Sequence, residues 1–329
     1  MTRIFRAEQI KEAAQILRKG GTVIFPTETV YGLGARYDDE KALEKIFTAK
    51  GRPKDNPLIL HIYKMEQLEG LVREIPEGAK ILMERFWPGP LTLIFRKRPE
   101  ISSIISAGLE TVAVRMPSDN LAQRFLREVD LPIAAPSANL SGSPSPTSED
   151  HLMDMMGRVD GILLGGDSSI GLESTVVDMT RTPPLLLRPG KVSLEELEEV
   201  LGQVDLYQSN KESYASPGLK YRHYAPQTPV VLLQGSDENL IKFINCNQEN
   251  CVYVVKELVY RACGEKKCHL FYPKEDIDYA AREYFRLLRT LDNQSYDIIY
   301  ITEIPILGLG RALMDRILRS SGGHTRRLE

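Results

Sequence analysis

The sequence predicts an α/β protein of two domains, the larger built on a mixed twisted sheet and the smaller on a three-layer arrangement. Short apolar segments alternate with amphipathic helices, which is typical of α/β folds. The N-terminal part holds too many strand candidates for its helices, which favours a mixed sheet over a strictly alternating parallel one. The length of 329 residues also exceeds what one hydrophobic core usually organises.

Two amphipathic helices are predicted near the start of the chain. Residues 8–18 carry apolar side chains at helical spacing and stop at Gly20, and residues 38–50 show the same spacing after Asp38. The strand candidates of this domain are, in order, TVIFPT, LILHIY, LTLIFRK, TVAVRM, PIAAPS, GILLGG, STVVDM and PLLLRPG.

A break in periodicity divides the chain. Residues 203–229 are rich in Ser, Pro, Gly and Tyr, so we expect this segment to link domain 1–202 to domain 230–329. Beyond it, VVLLQ, VYVV and IIYIT alternate with helices such as 279–291, which indicates a small Rossmann-like three-layer domain. The tail GLGRALMDRILRSSGG begins like a nucleotide-binding loop but lacks its Lys-Ser/Thr pair, so we interpret its glycines as the entry to a helix at the surface.

Composition indicates an ordinary globular protein, with 42% hydrophobic and 26% charged residues. The net charge of -3 gives no overall attraction to phosphate backbones, so any nucleotide or RNA binding has to come from a local cluster. The first residues, MTRIFRAEQI, lack the apolar run of a secretory signal, and no segment approaches the roughly 20 apolar residues of a membrane span. We therefore expect a cytoplasmic protein without a membrane partner.

The cysteines give little support for a metal site. Cys246, Cys251, Cys263 and Cys268 form two C-x4-C spacings, whereas zinc knuckles usually place two residues between cysteines. Zinc ligation is conceivable, but we favour thiols that stay reduced and expect no metal bound by the protein. The histidines are scattered, apart from His269 beside Cys268, so neither a zinc hydrolase nor a catalytic triad is favoured.

The densest chemical signal is the basic turn KGRPK, residues 50–54. Lys50, Arg52 and Lys54 follow a predicted helix and, in a non-helical turn, can converge on a polyphosphate. A solvated basic turn is the alternative, because basic runs often lie on the surface without a ligand.

A second signal is PTETVYGL, residues 26–33, in which a strand ends in hydroxyl-bearing side chains and a glycine. Ligands of α/β sheets bind at strand ends, so Thr29 and Tyr31 are candidate contacts. The alternative is a polar strand end followed by an ordinary glycine turn.

A third signal is the loop APSANLSGSPSPT, residues 135–147. Ser137, Asn139 and Ser145 can hydrogen-bond phosphate oxygens or a ribose. Ser, Pro, Gly and Asn are also the usual residues of surface turns, so this motif alone is ambiguous.

Three further polar residues lie at strand ends. Arg115 follows TVAV, Ser174 begins STVVD, and Arg188 follows PLLL. Arginine at such a position can clamp a carboxylate or neutralise a phosphate, although a surface ion pair worth under about 1 kcal/mol is the alternative. Their recurrence at strand ends favours one shared cleft.

Taken in order, PTETVYGLGA, KGRPKDNPLILHI, RFWPGPLTLI, VAVRMP, APSANLSG, STVVD and LLRPG resemble the YrdC-like threonylcarbamoyl-AMP synthase family. The segment YRHYAP and the C-terminal domain resemble the long, two-domain branch of that family. The resemblance implies a mixed α/β fold with a concave, positively lined cavity. It implies that L-threonine, bicarbonate and ATP give threonylcarbamoyl-AMP and pyrophosphate, for the t6A modification of tRNA.

The resemblance also implies roles for particular residues. The K-x-R and S-x-N signature of the family falls on Lys50 and Arg52, which we expect to be catalytic, and on Ser137 and Asn139. We expect threonine to be held by Thr29, Tyr31, Arg115 and Ser174, with Arg115 on its carboxylate. We expect ATP to be held by Lys50, Arg52, Asn56, His61, Ser137, Asn139, Ser145, Arg188 and Tyr224.

Cofactor and partner expectations follow from the same reaction. ATP would bring Mg²⁺, bicarbonate would be a co-substrate, and the product would pass to the tRNA threonylcarbamoyl transferase machinery, with weak direct tRNA binding as a further expectation. The linker, with a joint at Ser216, Pro217 and Gly218, would act as a lid, or else as a passive tether. Two other functions stay open: a module that binds double-stranded RNA or tRNA without catalysis, and a carbamoyl-transfer accessory domain that uses carbamoyl phosphate.

Overall fold

A computed structural model gives the structure of residues 1–207, 224–264 and 268–329. Unit one comprises Met1–Ser141 and Ser145–Tyr221, and unit two comprises Gly142–Pro144 and Arg222–Glu329. Most of the predicted linker, including the proposed joint at residues 216–218, lies outside the described residues. The boundaries predicted at residues 202 and 230 therefore stay predictions.

One mixed sheet organises the described part of unit one. Its strands are β1 (Arg3–Phe5), β2 (Val23–Phe25), β3 (Gly32–Arg36), β4 (Ile59–His61), β5 (Leu91–Arg96), β6 (Thr111–Arg115), β7 (Ile133–Ala134), β8 (Gly161–Leu163), β9 (Thr175–Asp178), β10 (Leu185–Arg188) and β11 (Asp205–Leu206). Their order is β1-β8-β2-β3-β7-β4-β6-β5-β9-β10-β11. Parallel pairs such as β4 with β6 occur beside antiparallel pairs such as β5 with β6, which confirms the predicted mixed sheet.

The helices of unit one are α1 (Ile10–Arg18), α2 (Glu40–Lys50), α3 (Met65–Glu69), α4 (Glu77–Phe86), α5 (Ser103–Ser106), α6 (Asn120–Val129) and α7 (Leu194–Leu201). Both predicted helices are present, but each begins two residues late. The second begins at Glu40 because the Asp39 side chain accepts hydrogen bonds from the backbone N–H groups of Lys41 and Ala42, which caps the helix. It ends at Gly51, whose φ of 60° turns the chain into the basic turn.

Hydrophobic clusters lie on both faces of this sheet. Ile24 belongs to the larger cluster, which includes side chains of α2, α4 and α7. Its neighbours Val23 and Phe25 belong to a second cluster, which includes side chains of α1 and α6. Since successive strand side chains point to opposite faces, β2 separates two helical layers. The strand ends that carry the predicted site residues therefore belong to a sheet that is packed against helices on both faces.

Unit two contains a smaller sheet, in which every strand pair is parallel among the described residues. Its strands are β12 (Val230–Gln234), β13 (Cys251–Val255), β14 (Cys268–Leu270), β15 (Ile298–Thr302) and β16 (Thr325–Arg327), in the order β14-β13-β15-β12-β16. Its helices are α8 (Asp237–Cys246), α9 (Glu257–Cys263), α10 (Ile277–Asp292) and α11 (Leu309–Ser320). All five residues of β13 are buried, as expected for a parallel strand covered on both faces, and the predicted Rossmann-like domain is confirmed.

Three properties of the described residues bear on the expectations from composition. No helix in these ranges combines the length and the apolar character that a membrane span requires. No disulfide joins any of the four cysteines, all of which the structure describes. Within the same ranges, no group of three or more His, Cys, Asp or Glu side chains is arranged to hold a metal ion.

Candidate functional site

Strand register brings polar side chains of unit one into one row. His61 on β4 is the register partner of Arg115 on β6, and Arg115 is the partner of Thr92 on β5. The Thr92 hydroxyl lies 2.7 Å from the hydroxyl of Ser174, which precedes β9. All four side chains are buried. Because register partners share a face of the sheet, His61, Arg115, Thr92 and Ser174 form a continuous polar row.

Arg115 is held by partners from the motif at residues 26–33. Its Nη2 lies 2.7 Å from Oε1 of Glu28, and its Nη1 donates to the Thr29 hydroxyl at 2.8 Å. Burial alone would raise the pKa of Glu28, but the adjacent guanidinium outweighs it and lowers the pKa, so the pair is ionised. The structure thus brings together the predicted Thr29 and Arg115. It adds Glu28, whose charge inside a motif of hydroxyl and apolar residues was the available signal.

Tyr31 is fully buried and its hydroxyl contacts a neighbouring glycine loop. The hydroxyl donates to the carbonyl oxygen of Gly166 at 2.7 Å and accepts from the N–H of Gly165 at 3.2 Å. Burial raises the pKa of this phenol, so it stays a neutral donor. These contacts let Tyr31 fix the loop, and the expectation that it contacts threonine stays a prediction.

Lys50, the last residue of α2, fixes the loop that follows β7. Its ammonium donates to the carbonyl oxygens of Ser137 and Asn139, both at 2.5 Å. The Ser137 hydroxyl in turn donates to Oδ1 of Asn139 at 2.5 Å. Burial, and then the nearby Arg52 guanidinium, hold the pKa of Lys50 well below that of an ordinary lysine. The four signature residues are therefore neighbours.

The basic turn itself is ordered by Arg52. Its Nη2 donates to the carbonyl oxygens of Asn56 and Pro57, at 3.3 and 3.2 Å. The Asn56 side chain is 1% exposed, and neither its amide nitrogen nor its oxygen has a hydrogen-bond partner among the described residues. A buried polar group without a hydrogen-bond partner costs about 1–3 kcal/mol. A ligand that hydrogen-bonds to the Asn56 amide would remove that cost, so Asn56 is well suited to bind one.

Arg188 and Ser145 lie beside the same row. Arg188 donates from Nε to the Ser174 carbonyl oxygen at 2.9 Å and from Nη2 to its hydroxyl at 3.1 Å. The Ser145 hydroxyl donates to the carboxylate of Glu173 at 2.5 Å. Glu173 is also close enough to Lys50 to act on its pKa, in the direction opposite to burial. Lys50 and Arg188 thus interact with the consecutive residues Glu173 and Ser174, and the expectation of a shared cleft stays a prediction.

His61 is an uncharged part of this site. Its Nδ1 lies 3.2 Å from the Ile59 carbonyl oxygen, and its ring meets the Phe25 ring edge-on at 5.9 Å. Burial, and then Arg115, lower the pKa of His61 to about 3. A neutral imidazole can pack against a ligand or hydrogen-bond to it, but it adds no positive charge.

Tyr224 belongs to unit two, where its side chain is 5% exposed. Its ring packs against Phe285, with 5.3 Å between centroids, and the Arg316 guanidinium lies 5.6 Å from the ring centroid. These contacts are those of a packed core residue. The expected contact of Tyr224 with the nucleotide stays a prediction.

Fold and site together define a two-unit α/β protein whose larger unit carries a buried site rich in arginine and lysine. A family model described as "Telomere recombination" matches residues 15–190, and one described as "Threonylcarbamoyl-AMP synthase, C-terminal domain" matches residues 192–322. The chain belongs to the threonylcarbamoyl-AMP synthase family, which confirms the resemblance seen in the motifs.

Named relatives and solved structures match nearly the whole chain. The threonylcarbamoyl-AMP synthase of Pyrococcus abyssi is 44% identical over 95% of this chain and 94% of its own length. That of Bacillus subtilis is 44% identical over 96% and 93%. The crystal structure of P. abyssi Sua5 complexed with L-threonine superposes with a TM-score of 0.90, at 41% identity and with both chains fully covered.

Proposed function

We propose that this protein is an L-threonylcarbamoyladenylate synthase that supplies the t6A modification of tRNA. L-Threonine, bicarbonate and ATP would give threonylcarbamoyl-AMP and pyrophosphate. Full-length similarity to threonylcarbamoyl-AMP synthases supports this activity. The observation that supports it most directly is that Lys50 is hydrogen-bonded to the Ser137–Asn139 loop and Arg188 to Ser174, with Arg52 near Lys50.

The first step needs no protein nucleophile. The threonine amine adds to bicarbonate, water leaves, and an N-carboxylate forms. We assign Arg115 to the carboxylate of threonine and Thr29 to a polar contact beside it, because their side chains are already hydrogen-bonded at 2.8 Å. Glu28 orients the guanidinium and balances its charge before substrate binds. We also assign Ser174 and Tyr31 to threonine binding. The Ser174 hydroxyl is held by Arg188, and the Tyr31 hydroxyl is held by the Gly165–Gly166 loop.

In the second step an oxygen of the N-carboxylate attacks the α-phosphorus of ATP, and pyrophosphate leaves. Both reactants are anions, so the barrier is lowered by cations fixed in advance and by exclusion of water. Arg52 and Arg188 stay protonated at any physiological pH. Lys50 has a depressed pKa, and bound phosphates would raise it, since a nearby negative charge favours the ammonium.

Asn56, His61, Ser137, Asn139 and Ser145 would hold the nucleotide. The Asn56 amide offers both a donor and an acceptor without a described partner, which suits the edge of a base or a ribose hydroxyl. Tyr224 completes the proposed nucleotide contacts.

Mg²⁺ would accompany ATP and neutralise phosphate charge. Mg²⁺ usually keeps several waters and takes only one or two carboxylates besides phosphate oxygens. The buried Glu173, hydrogen-bonded to Ser145, is a carboxylate of that kind within this site. The residues present therefore fit a metal carried mainly by the substrate. A cytoplasmic location and transfer of the product to the tRNA modification machinery complete the proposal.

The test is pyrophosphate release from ATP by the full-length protein, with threonine or bicarbonate omitted in turn. We expect release only when both are present, and a product that contains AMP, threonine and one carbon from labelled bicarbonate. Pyrophosphate release in the absence of threonine or in the absence of bicarbonate would contradict the proposal. RNA binding that weakens steeply with salt, without any such release, would favour the RNA-binding module instead.

A further inference from the structure

Unit two contains a cavity of its own, which the proposed reaction does not use. Its volume is about 430 Å³, within the usual range of small-molecule pockets. Its lining residues come from the segments that follow β13, β14 and β15. They are Lys256, Tyr272, Glu275, Ile277, Glu303, Ile304 and Pro305.

The cavity lies at a topological switch point of the parallel sheet. Strand β13 leads through α9 to β14 on one side, whereas its neighbour β15 leads through α11 to β16 on the other side. Chain segments that leave adjacent strands in opposite directions open a crevice at the carboxyl ends. Lys256 directly follows β13 and Glu303 directly follows β15, so the cavity occupies that crevice.

The lining carries excess negative charge. The Lys256 ammonium lies 2.5 Å from Oδ1 of Asp237, so the two charges cancel. Glu303 accepts a hydrogen bond from the uncharged Gln234 amide at 3.1 Å, which leaves its charge in place. Neither Glu303 nor Glu275 forms an ion pair with any residue that the structure describes. An anionic ligand would therefore meet two uncompensated carboxylates.

Tyr272 adds a buried polar group to the cavity wall. Its side chain is 4% exposed, and its ring packs edge-on against Phe271 at 6.0 Å. Within the described parts of the chain, no hydrogen bond is made by its hydroxyl. Burial raises the pKa of this phenol, and the carboxylates of Glu275 and Asp237 raise it further. Glu275 and Asp237 therefore lie near the Tyr272 hydroxyl. A neutral hydroxyl beside carboxylates can accept a hydrogen bond from a cation.

The backbone holds Glu275 at the cavity in an uncommon conformation. Lys274 and Glu275 have consecutive positive φ angles of 53° and 60°, which residues other than glycine rarely adopt. The Lys274 N–H donates to the carboxylate of Glu257 at 2.7 Å, which helps to fix this turn. The turn therefore places a carboxylate at the cavity at a conformational cost.

We propose that this cavity binds a small organic cation, a primary ammonium with a short hydrocarbon body. Glu275, Glu303 and the Tyr272 hydroxyl would contact the ammonium, and Ile277, Ile304 and Pro305 would contact the hydrocarbon. A bare metal ion fits less well, because no cluster of three or more metal-ligating side chains exists among the described residues. The proposal is independent of the synthase activity.

The experiment uses the full-length protein with labelled isoleucine methyl groups, followed by NMR. The probes are pentylamine, pentanoate and pentan-1-ol, which share a hydrocarbon body and differ in charge. We expect pentylamine to shift the methyl signals of Ile277 and Ile304 saturably and to leave Ile105 in unit one unshifted. Pentanoate should produce no saturable shift, and pentan-1-ol a much weaker one.

A double variant, Glu275→Gln with Glu303→Gln, tests the charge requirement. We expect it to bind pentylamine about tenfold more weakly or worse. The control is Glu249→Gln, an exposed carboxylate before β13 at the opposite ends of the strands, which should bind as the wild type does. Absence of saturable shifts, equal binding of pentanoate, or an unchanged affinity in the double variant would each overturn the proposal.

Discussion

The guanidinium of Arg115 lies 2.7 Å from the carboxylate of Glu28, and both side chains are almost completely buried. A buried charge is costly unless it is paired, so each residue makes the other tolerable in this position. The pair also leaves Arg115 in contact with Thr29 at 2.8 Å. Removal of Glu28 should therefore affect the stability of the fold as well as the site.

Glu28→Gln should destabilise the protein by about 3 kcal/mol, because it leaves the Arg115 charge buried without its partner. The measurement is the denaturant midpoint of unfolding, with the m-value checked for constancy. The matched control is Glu110→Gln, since Glu110 is 76% exposed and pairs with Arg73 at 3.6 Å. The control should leave the midpoint unchanged, and an equally unchanged midpoint for Glu28→Gln would show that the pair contributes nothing.

His61 should make stability depend on pH. Its folded-state pKa is about 3, below the unfolded value of about 6.5, so the unfolded chain binds more protons between these limits. The contribution of His61 to the free energy of unfolding is fully present above about pH 6.5. It declines as the pH falls towards 3, with a limiting slope of about 1.4 kcal/mol per pH unit. Denaturant unfolding across that window should show this slope.

His61→Gln should flatten the slope, because glutamine does not titrate. The exposed His324, changed to Gln, serves as the control and should keep the wild-type slope. An unaltered slope in His61→Gln would mean that other groups account for the pH dependence, such as the half-buried His269, whose pKa burial also lowers. Burial, followed by smaller effects, raises the pKa of Asp119, so its contribution has the opposite sign.

The contrast between Lys50 and Glu28 shows what the sequence can predict. Lys50 and Arg52 belong to a local motif, and the glycine that ends α2 is visible beside them. The pairing of Glu28 with Arg115 depends instead on how distant segments meet across the sheet. Periodicity predicts that strands exist but not their order, so this contact could not be derived from composition or spacing.

The same limit applies to Tyr224. No local pattern predicts the contacts of Tyr224 with Phe285 and Arg316, because they depend on packing within unit two. Helices are more predictable, because apolar spacing and capping residues are local. The two-residue differences at the starts of α1 and α2 reflect a short turn before α1 and the Asp39 cap of α2.

Lys50→Met should abolish most of the synthase turnover and leave the fold intact. Burial already disfavours the charged form of Lys50, so an apolar chain of similar length is tolerated, while the site loses a cation and the donor that holds Ser137 and Asn139. We expect a loss in kcat of about 100-fold or more. Lys54→Met is the matched control from the same turn, because Lys54 is 60% exposed and pairs with Glu44. Near-normal turnover in Lys50→Met would remove Lys50 from the catalytic assignment.

Asn56→Leu separates a binding role from a structural one. The Asn56 amide is buried without a described partner, so its replacement by an apolar side chain of similar size should leave stability unchanged or raise it by about 1 kcal/mol. If the amide binds the nucleotide, the same variant should raise the KM for ATP about tenfold, since 1.4 kcal/mol corresponds to that factor. Thermal unfolding without ligand and steady-state kinetics with varied ATP measure the two effects on one preparation.

The control for Asn56→Leu is the KM for threonine, which should not change because the assigned threonine contacts are Thr29, Arg115, Ser174 and Tyr31. A less stable protein with an unchanged KM for ATP would mean that Asn56 stabilises the turn through its own packing. A stable protein with a raised KM for ATP alone would instead place the nucleotide against the turn that Arg52 orders, beside the cations that the reaction requires.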